Sequence, residues 1–306
     1  MSKSKGNSKE GYLEISRKSN IIFNIILTIL AIMCIYPLIL VFMVSITDEK
    51  MISLYGYKLI PKKFSLYAYE YIIKDIGVVL RAYGTTALVT LVGSLISIVI
   101  ITMYAYPLSR KSFKYRNTFS FIVYFTMLFN GGLVPWYMVY ARFLHLKNSY
   151  WALIIPALLS PMYVLIMRTF FSTSIPDSLI EAAKIDGAGE FYTFCRIVIP
   201  LAKPAIATIS LFNILSYWND WYLPLLFITD EKKYTLQYLL YRVEKSIQYL
   251  STSSQSAGNV SGALANIPSQ SSRMAMAIIA IGPIIFAYPF FQKYFVQGLT
   301  IGAVKG

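Results

Sequence analysis

The feature that most constrains this chain is a series of long apolar runs. They fall at about residues 21–46, 81–108, 117–140, 148–172, 203–229 and 273–295. Each reaches the roughly 20 residues that a helix needs to cross a bilayer core of about 30 Å. Inside hydrocarbon the backbone must satisfy itself, so runs of this kind become helices. A soluble core of buried helices is excluded, because such helices are shorter and more polar. The composition agrees: 14% of residues are charged, against about 25% in ordinary soluble domains. The expected fold class is all-α integral membrane, with six transmembrane helices.

The first run follows a basic stretch, Lys3 to Lys18, as in a signal peptide. It is too long for one, and Asp48, Glu49 and Lys50 follow it where a small-residue cleavage site would be. It reads as an uncleaved span. Pro37, Pro135, Pro156, Pro161, Pro224 and Pro283 lie inside the runs. They predict kinks whose freed carbonyls neighbouring helices must satisfy. The many Ser, Thr, Gly and Tyr residues suit close helix packing and a water-lined path.

The formal charge of +14 would suit nucleic acid if it formed one patch. Instead the basic residues surround the apolar runs, which points to lipid headgroups. Lys3, Lys5, Lys9, Arg17 and Lys18 precede the first run. Arg110, Lys111, Lys114 and Arg116 link the second and third, and Lys184, Arg196 and Lys203 lie between the fourth and fifth. Six spans put all of these, and both termini, on one side, assigned to the cytoplasm. The opposite side carries two long loops, 47–80 and 230–272, with lysines of their own. The tyrosines of the first, among them Tyr55 and Tyr67, suit an interfacial aromatic belt. The second opens with a helical pattern, Leu236, Leu239, Leu240, Val243 and Ile247. A polar tract, Ser251 to Ser272, then reads as a tether. Cys34, Cys195 and the single His145 form neither a disulfide framework nor a metal spacing.

A charged stretch between two apolar runs, EAAKIDGAGEFYTFCRIVIPLAKP from Glu181 to Pro204, must face water. It divides into two short helices. Pro176 suits a first turn, and Asp177 and Glu181 favour the positive end of the helix dipole. Leu179, Ala182 and Ala183 form a stripe that a partner groove can approach closely. Asp186-Gly187 ends the helix, with Gly187 free to turn left-handed. A second helix presents Phe191, Phe194 and Ile197 on one face, and Pro200 stops it. By itself the pattern fits either an amphipathic connector in the headgroup region or a knob for a soluble partner.

The segment resembles the EAA loop of ATP-binding-cassette importer permeases. Glu181, Ala182, Ala183, Asp186, Gly187, Ala188, Ile197, Pro200, Leu201 and Pro204 fall at the family spacing, in the form of the carbohydrate-uptake branch. About residues 20–296 resemble that family, of type I importer permeases. Phe129 to Pro135 and Trp218 to Trp221 resemble its complex-oligosaccharide subgroup. The resemblance implies a basic cytoplasmic N-terminus (1–20), a permease domain (21–296), a cytoplasmic coupling loop (173–202) and a C-terminal tail (297–306). It implies a multi-pass protein of the bacterial cell membrane. Ser178 to Ala188 match the coupling helix, which in the family sits in the cleft of an ATPase subunit. The implied partners are a second, different permease, ATPase subunits and an extracellular sugar-binding protein.

The chain has no phosphate-cradling G-x-x-x-x-G-K-[ST] sequence, and one histidine makes no catalytic triad. It is read as a transport subunit without cofactor, with ATP and magnesium bound by the partner. Sugars are held by aromatic faces and planar polar groups. Asn213, Tyr217, Trp218, Asn219, Asp220 and Trp221 offer that mixture, and Asn130, Trp136 and Tyr137 form a second set. Both sets also fit an interfacial belt with structural hydrogen bonds. The cargo expected is an oligosaccharide, acidic if the basic outer loops meet it. Two alternatives stand: import of another solute, such as a peptide or amino acid, and a membrane scaffold that docks a soluble partner.

Overall fold

The computed structural model describes residues 17–73, 76–256 and 270–282, with 285 and 289. The expected C-terminal tail, most of the N-terminal basic stretch, the centre of the Ser-rich tract and much of the sixth run lie outside the described residues. No strand occurs among the described residues. The chain divides into two compact units, residues 1–71 with 268–278, and 72–267 with 279–306.

In the first unit, α1 (Arg17–Ser45) carries the first apolar run. Its apolar side chains are exposed along almost the whole length, as suits a helix whose solvent is lipid. A short α2 (Glu49–Tyr55) follows, capped by Asp48, whose side chain accepts from the Lys50 amide at 3.1 Å. Gly56, at φ +70°, ends it. The chain then returns alongside its own start: Asp48 N–H donates to the Lys63 carbonyl and Ser65 N–H to that of Ile46. The Glu49 carboxylate accepts from the Gln270 and Ser271 amides, both at 2.9 Å. These amides belong to the helical stretch described at 270–282, and Glu49 is their hydrogen-bond partner. The chain passes into the second unit through α3 (Tyr67–Ile73).

The axis of the second unit is α4 (Ile76–Ser109), 34 residues long and so about 51 Å. Its elements are α5 (Arg116–Leu128), α6 (Leu133–Met138), α7 (Trp151–Ile154) and α8 (Pro161–Ser174). Next come α9 (Asp177–Ile185), α10 (Glu190–Thr193), α11 (Ile199–Leu201) and α12 (Lys203–Trp218). The last are α13 (Tyr222–Phe227) and α14 (Leu236–Ser256). α4 packs against both α8 and α12. Around one end of α4, Ile101, Ala105, Leu108, Met167, Phe171 and Val198 form one core. Around the other, Val89, Leu153, Tyr217 and Phe227 anchor a second.

Among the described residues, α1 and α4 are each long and apolar enough to cross a membrane, and three further pairs of helices qualify if each bent pair is one span. Kinks were expected at the prolines, and the bends are sharper than a proline kink alone. Between α5 and α6 the bend is 114°. Gly132 there sits at φ +89°, where a β-carbon would clash with the backbone, and the Asn130 side chain accepts from its amide at 2.9 Å. The fourth run bends by 49° at the break before Pro161. The freed carbonyls there are satisfied as expected: Ser97 donates to Leu158 at 2.7 Å and Tyr217 to Ile154 at 3.0 Å. The fifth run breaks after Trp218, where α12 ends and Asp220 starts α13. The polar tract is shorter than its composition suggested, because α14 continues through Ser251 to Ser256.

Asn148 pins the connections after α13 from a left-handed conformation, φ +58°. Its amide donates to Phe227 O at 2.8 Å, and its side chain accepts from the Thr229 and Asp230 amides. Lys233 Nζ reaches its carbonyl at 2.6 Å.

Candidate functional site

The charged segment folds as the expected pair of helices at the Ser109 end of α4. Pro176 is extended (ψ 138°) and stands one residue before α9, not in its first turn. The expected stripe is divided. Ala183 is buried together with Ile180, whereas Glu181, Ala182 and Leu179 face outward. The three-residue step from Ile180 to Ala183 follows the helical repeat, so these two share the inward face.

The end of α9 is closed by two specific bonds. Gly187 sits at φ +80°. Its amide donates to Lys184 O at 3.0 Å, and the Ala188 amide reaches back to Ala183 O at 2.9 Å. This 5→2 and 6→1 pair is the Schellman arrangement, which uses carbonyls left over at a helix end. Asp186 and Gly187 are exposed.

The second helix differs more from expectation. α10 runs without interruption into a π-helical turn, Phe194–Val198, and then into α11. Pro200 therefore lies inside a continuous helical stretch and does not stop it. The wider turn suits a residue with no N–H to donate. The chain bends after Leu201, by 79° into α12. Phe194 is buried with Thr193 and Val198, but Phe191 is 72% exposed, so the expected Phe191–Phe194–Ile197 face does not form. The π turn shifts the register of everything beyond it. Ile185, 86% exposed, with Leu179, Phe191 and Tyr192, leaves an apolar outer surface on the hairpin.

Side chains from α4 and its end hold this hairpin in place. Arg110 is only 7% exposed. Its guanidinium donates to Phe171 O at 3.1 Å and Ser109 Oγ at 3.0 Å, and meets Asp177 at 3.3 Å. It also lies over the Tyr106 ring, 5.3 Å from the centroid. Burial pushes the Arg110 pKa down, while the nearby Tyr106, Asp177 and Glu190 oppose that shift. Tyr106 donates its hydroxyl to Glu190 at 3.2 Å and packs on Phe171 and Phe194. Lys184 closes on Glu190 at 2.5 Å, joining the two helices. That hydrogen bond leads in holding the Glu190 carboxyl below its usual pKa. In sequence, Arg110 stood out only as one of four link cations, and Tyr106 is hidden in an apolar run. A tyrosine just before Pro107 and an arginine three residues after it, at the end of such a run, is the signal that was available.

The residues expected along a substrate path separate into distinct settings. Tyr217 is buried and hydrogen-bonded to Ile154 O. Trp218 donates to Ala280 O at 3.2 Å. Asp220 caps α13, accepting from the Tyr222 and Leu223 amides at 2.9 and 3.2 Å. Trp136 and Tyr137 pack on Phe227, and Asn130 is engaged in its own turn. Asn219 is exposed and contacts Gln237 at 3.2 Å. Trp221 stacks on Tyr241, centroids 4.6 Å apart. Asn213 differs from all of these: it is buried in α12, and its amide nitrogen has no hydrogen-bond partner among the described residues.

Comparison with known proteins meets this architecture from three directions. Residues 105–301 match the model of the binding-protein-dependent transport system inner membrane component family. The chain is 37% identical to the polygalacturonan/rhamnogalacturonan transport system permease protein YtcP of Bacillus subtilis, over 92% of this chain and 96% of that protein. It is also 37% identical to the protein LplC of the same organism, over 89% and 90% of the two chains. Among solved structures, a bacterial ABC transporter involved in the import of the acidic polysaccharide alginate superposes with a TM-score of 0.75 at 29% identity. That match covers 92% of this chain and 99% of the other. A helical hairpin fastened to a bundle of apolar helices, within a sequence match of this extent, identifies the chain as a member of the binding-protein-dependent transport system inner membrane component family.

Proposed function

We propose that this chain is one permease subunit of an ATP-driven, binding-protein-dependent importer of oligosaccharides, and that uronate-containing, acidic oligosaccharides are its cargo. One observation carries the transport reading: a capped hairpin with an exposed apolar surface, lashed to the long helix α4, in a chain of this family. The acidic cargo is supported by the relatives, one named for polygalacturonan and rhamnogalacturonan and one for alginate.

In this reading a second, different permease completes the path, and separate subunits bind ATP and magnesium. The hairpin, centred on Glu181, Ala182, Ala183, Asp186, Gly187 and Ala188, docks in an ATPase subunit on the cytoplasmic side, with Pro200 in the arm behind it. The Arg110–Arg116 link and the hairpin share one end of α4. That supports their common placement under the positive-inside rule, with both termini cytoplasmic. ATP-driven closure of the ATPase pair moves the hairpin, and the helices switch access. Only a difference in affinity of ATP and of loaded binding protein for the two states drives that switch. Asn213, buried in α12 with a side-chain amide nitrogen that has no partner among the described residues, is the residue of the expected path best suited to gain a partner when the path opens.

The test is twofold. A cysteine at Ile185 should crosslink to the co-purified ATPase and lose the crosslink when Gly187 is replaced by Pro. Proteoliposomes of the complete transporter should take up galacturonate oligosaccharides in competition with other acidic glycans. Absence of the crosslink in an ATP-hydrolysing complex would exclude the docking. Uptake of neutral sugars alone would exclude the acidic cargo.

A further inference from the structure

Among the described residues, the hairpin meets the rest of its unit through a small set of polar contacts, and two residues make most of them. Arg110 reaches the first turn of α9 through Asp177 and the last turns of α8 through Phe171 O. Tyr106, one helical turn earlier on α4, reaches the first residue of α10 through Glu190. Lys184 then ties α9 to Glu190. Each helix of the hairpin is thus fastened near its beginning to the same end of α4, and the two are fastened to each other. The Arg110 guanidinium over the Tyr106 ring makes the two anchors one unit. Lys111, 3.8 Å from Asp177 but largely exposed, adds little, because solvent screens it.

We infer that Arg110 and Tyr106 are positioning residues that make the hairpin and α4 move as one body, so that a displacement of α9 is passed to α4 without slack. This rests on the reading of the hairpin as the contact with the ATPase. A buried cation with three protein partners is costly to leave half-paired. The clamp therefore has one favourable arrangement and resists hinging between α9 and α4. The apolar contacts of Ile180, Phe194 and Val198 with the core around that end of α4 are non-directional and fix the orientation of the hairpin less tightly than the polar clamp.

The experiment uses the complete transporter in nanodiscs, with Cys34 and Cys195 replaced by serine and spin labels at Ile185→Cys and Leu95→Cys. The unmodified clamp should give a narrow distance distribution between hairpin and α4. Arg110→Met should broaden it and raise, several-fold, the ATP hydrolysed per oligosaccharide imported, while assembly with the ATPase is retained. Arg110→Lys should recover part of both. If Arg110→Met does not accumulate, Asp177→Asn and Tyr106→Phe, each removing one contact, should act in the same direction and less than additively. A distribution that stays narrow in the variants overturns the clamp. A broadened distribution with unchanged coupling overturns its role in transmission. The distance measurement needs no contact with the ATPase. A broadened distribution with no Ile185 crosslink would therefore refute the docking reading and leave the clamp itself standing.

Discussion

The hydroxyl end of the Tyr217 ring lies against Gly93: a β-carbon at Gly93 would stand 2.7 Å from the ring. The ring cannot readily retreat, because its hydroxyl is held by Ile154 O and it is buried between α4, α7 and α13. This contact sets how closely α12 approaches α4, as small residues do between membrane helices.

Gly93→Ala should therefore destabilise the protein by about 1–3 kcal/mol, the usual cost of overpacking. Thermal melting of the solubilised complex measures it. Adding Tyr217→Leu, which removes the obstructing ring, should restore part of the loss. Unchanged melting in Gly93→Ala would show that the close approach is not needed.

Gly187 is at φ +80°, and an L-residue there costs about 1–2 kcal/mol. Gly187→Ala should lower uptake while the protein still inserts and assembles. Gly187→Pro should abolish uptake, because its φ is fixed near −65° and the Gly187 amide bond to Lys184 O is lost. Normal uptake by the proline variant would remove the hairpin from the coupling route.

The Glu190 carboxyl is held below its ordinary pKa, first by the hydrogen bond from Lys184. A depressed acid contributes stability that is complete above the ordinary carboxylate pKa and lost as pH falls through the depressed value. Because the pair is largely exposed, the effect is small, about 0.2–1 kcal/mol. Glu190→Gln should therefore be slightly less stable than the parent at neutral pH, with the difference shrinking as pH falls below the ordinary carboxylate range and vanishing beneath the depressed value. A pH series of melting temperatures gives the comparison.

Asp220 caps α13 through two amides. Asp220→Ala should cost about 1 kcal/mol, and Asp220→Asn or Asp220→Ser should recover most of it. Uptake should follow stability across the three variants. If the Asn and Ser variants are stable and yet lose uptake, the carboxylate charge takes part in handling cargo.

How much was legible in the sequence depends on the range of the interaction involved. The apolar runs dictate helices, because hydrocarbon leaves the backbone no other partner. The Asp-Gly pair dictates the end of α9, because the requirement for a left-handed residue is local. Those features, and the hairpin itself, came from the chain alone. Three matters were decided only by tertiary structure. Pro200 did not stop its helix, since a π turn gave the preceding residues other partners. The chosen polar and aromatic residues near Asn219 were mostly engaged within the protein, since their partners are distant in sequence: Tyr217 with Ile154, Trp218 with Ala280. The fastening of the hairpin was decided by Arg110 meeting Asp177 across 67 positions. Local chemistry determines where a membrane chain bends and caps. Which buried polar group answers which is settled by packing, because the low-dielectric interior leaves each such group dependent on whatever neighbour the fold delivers.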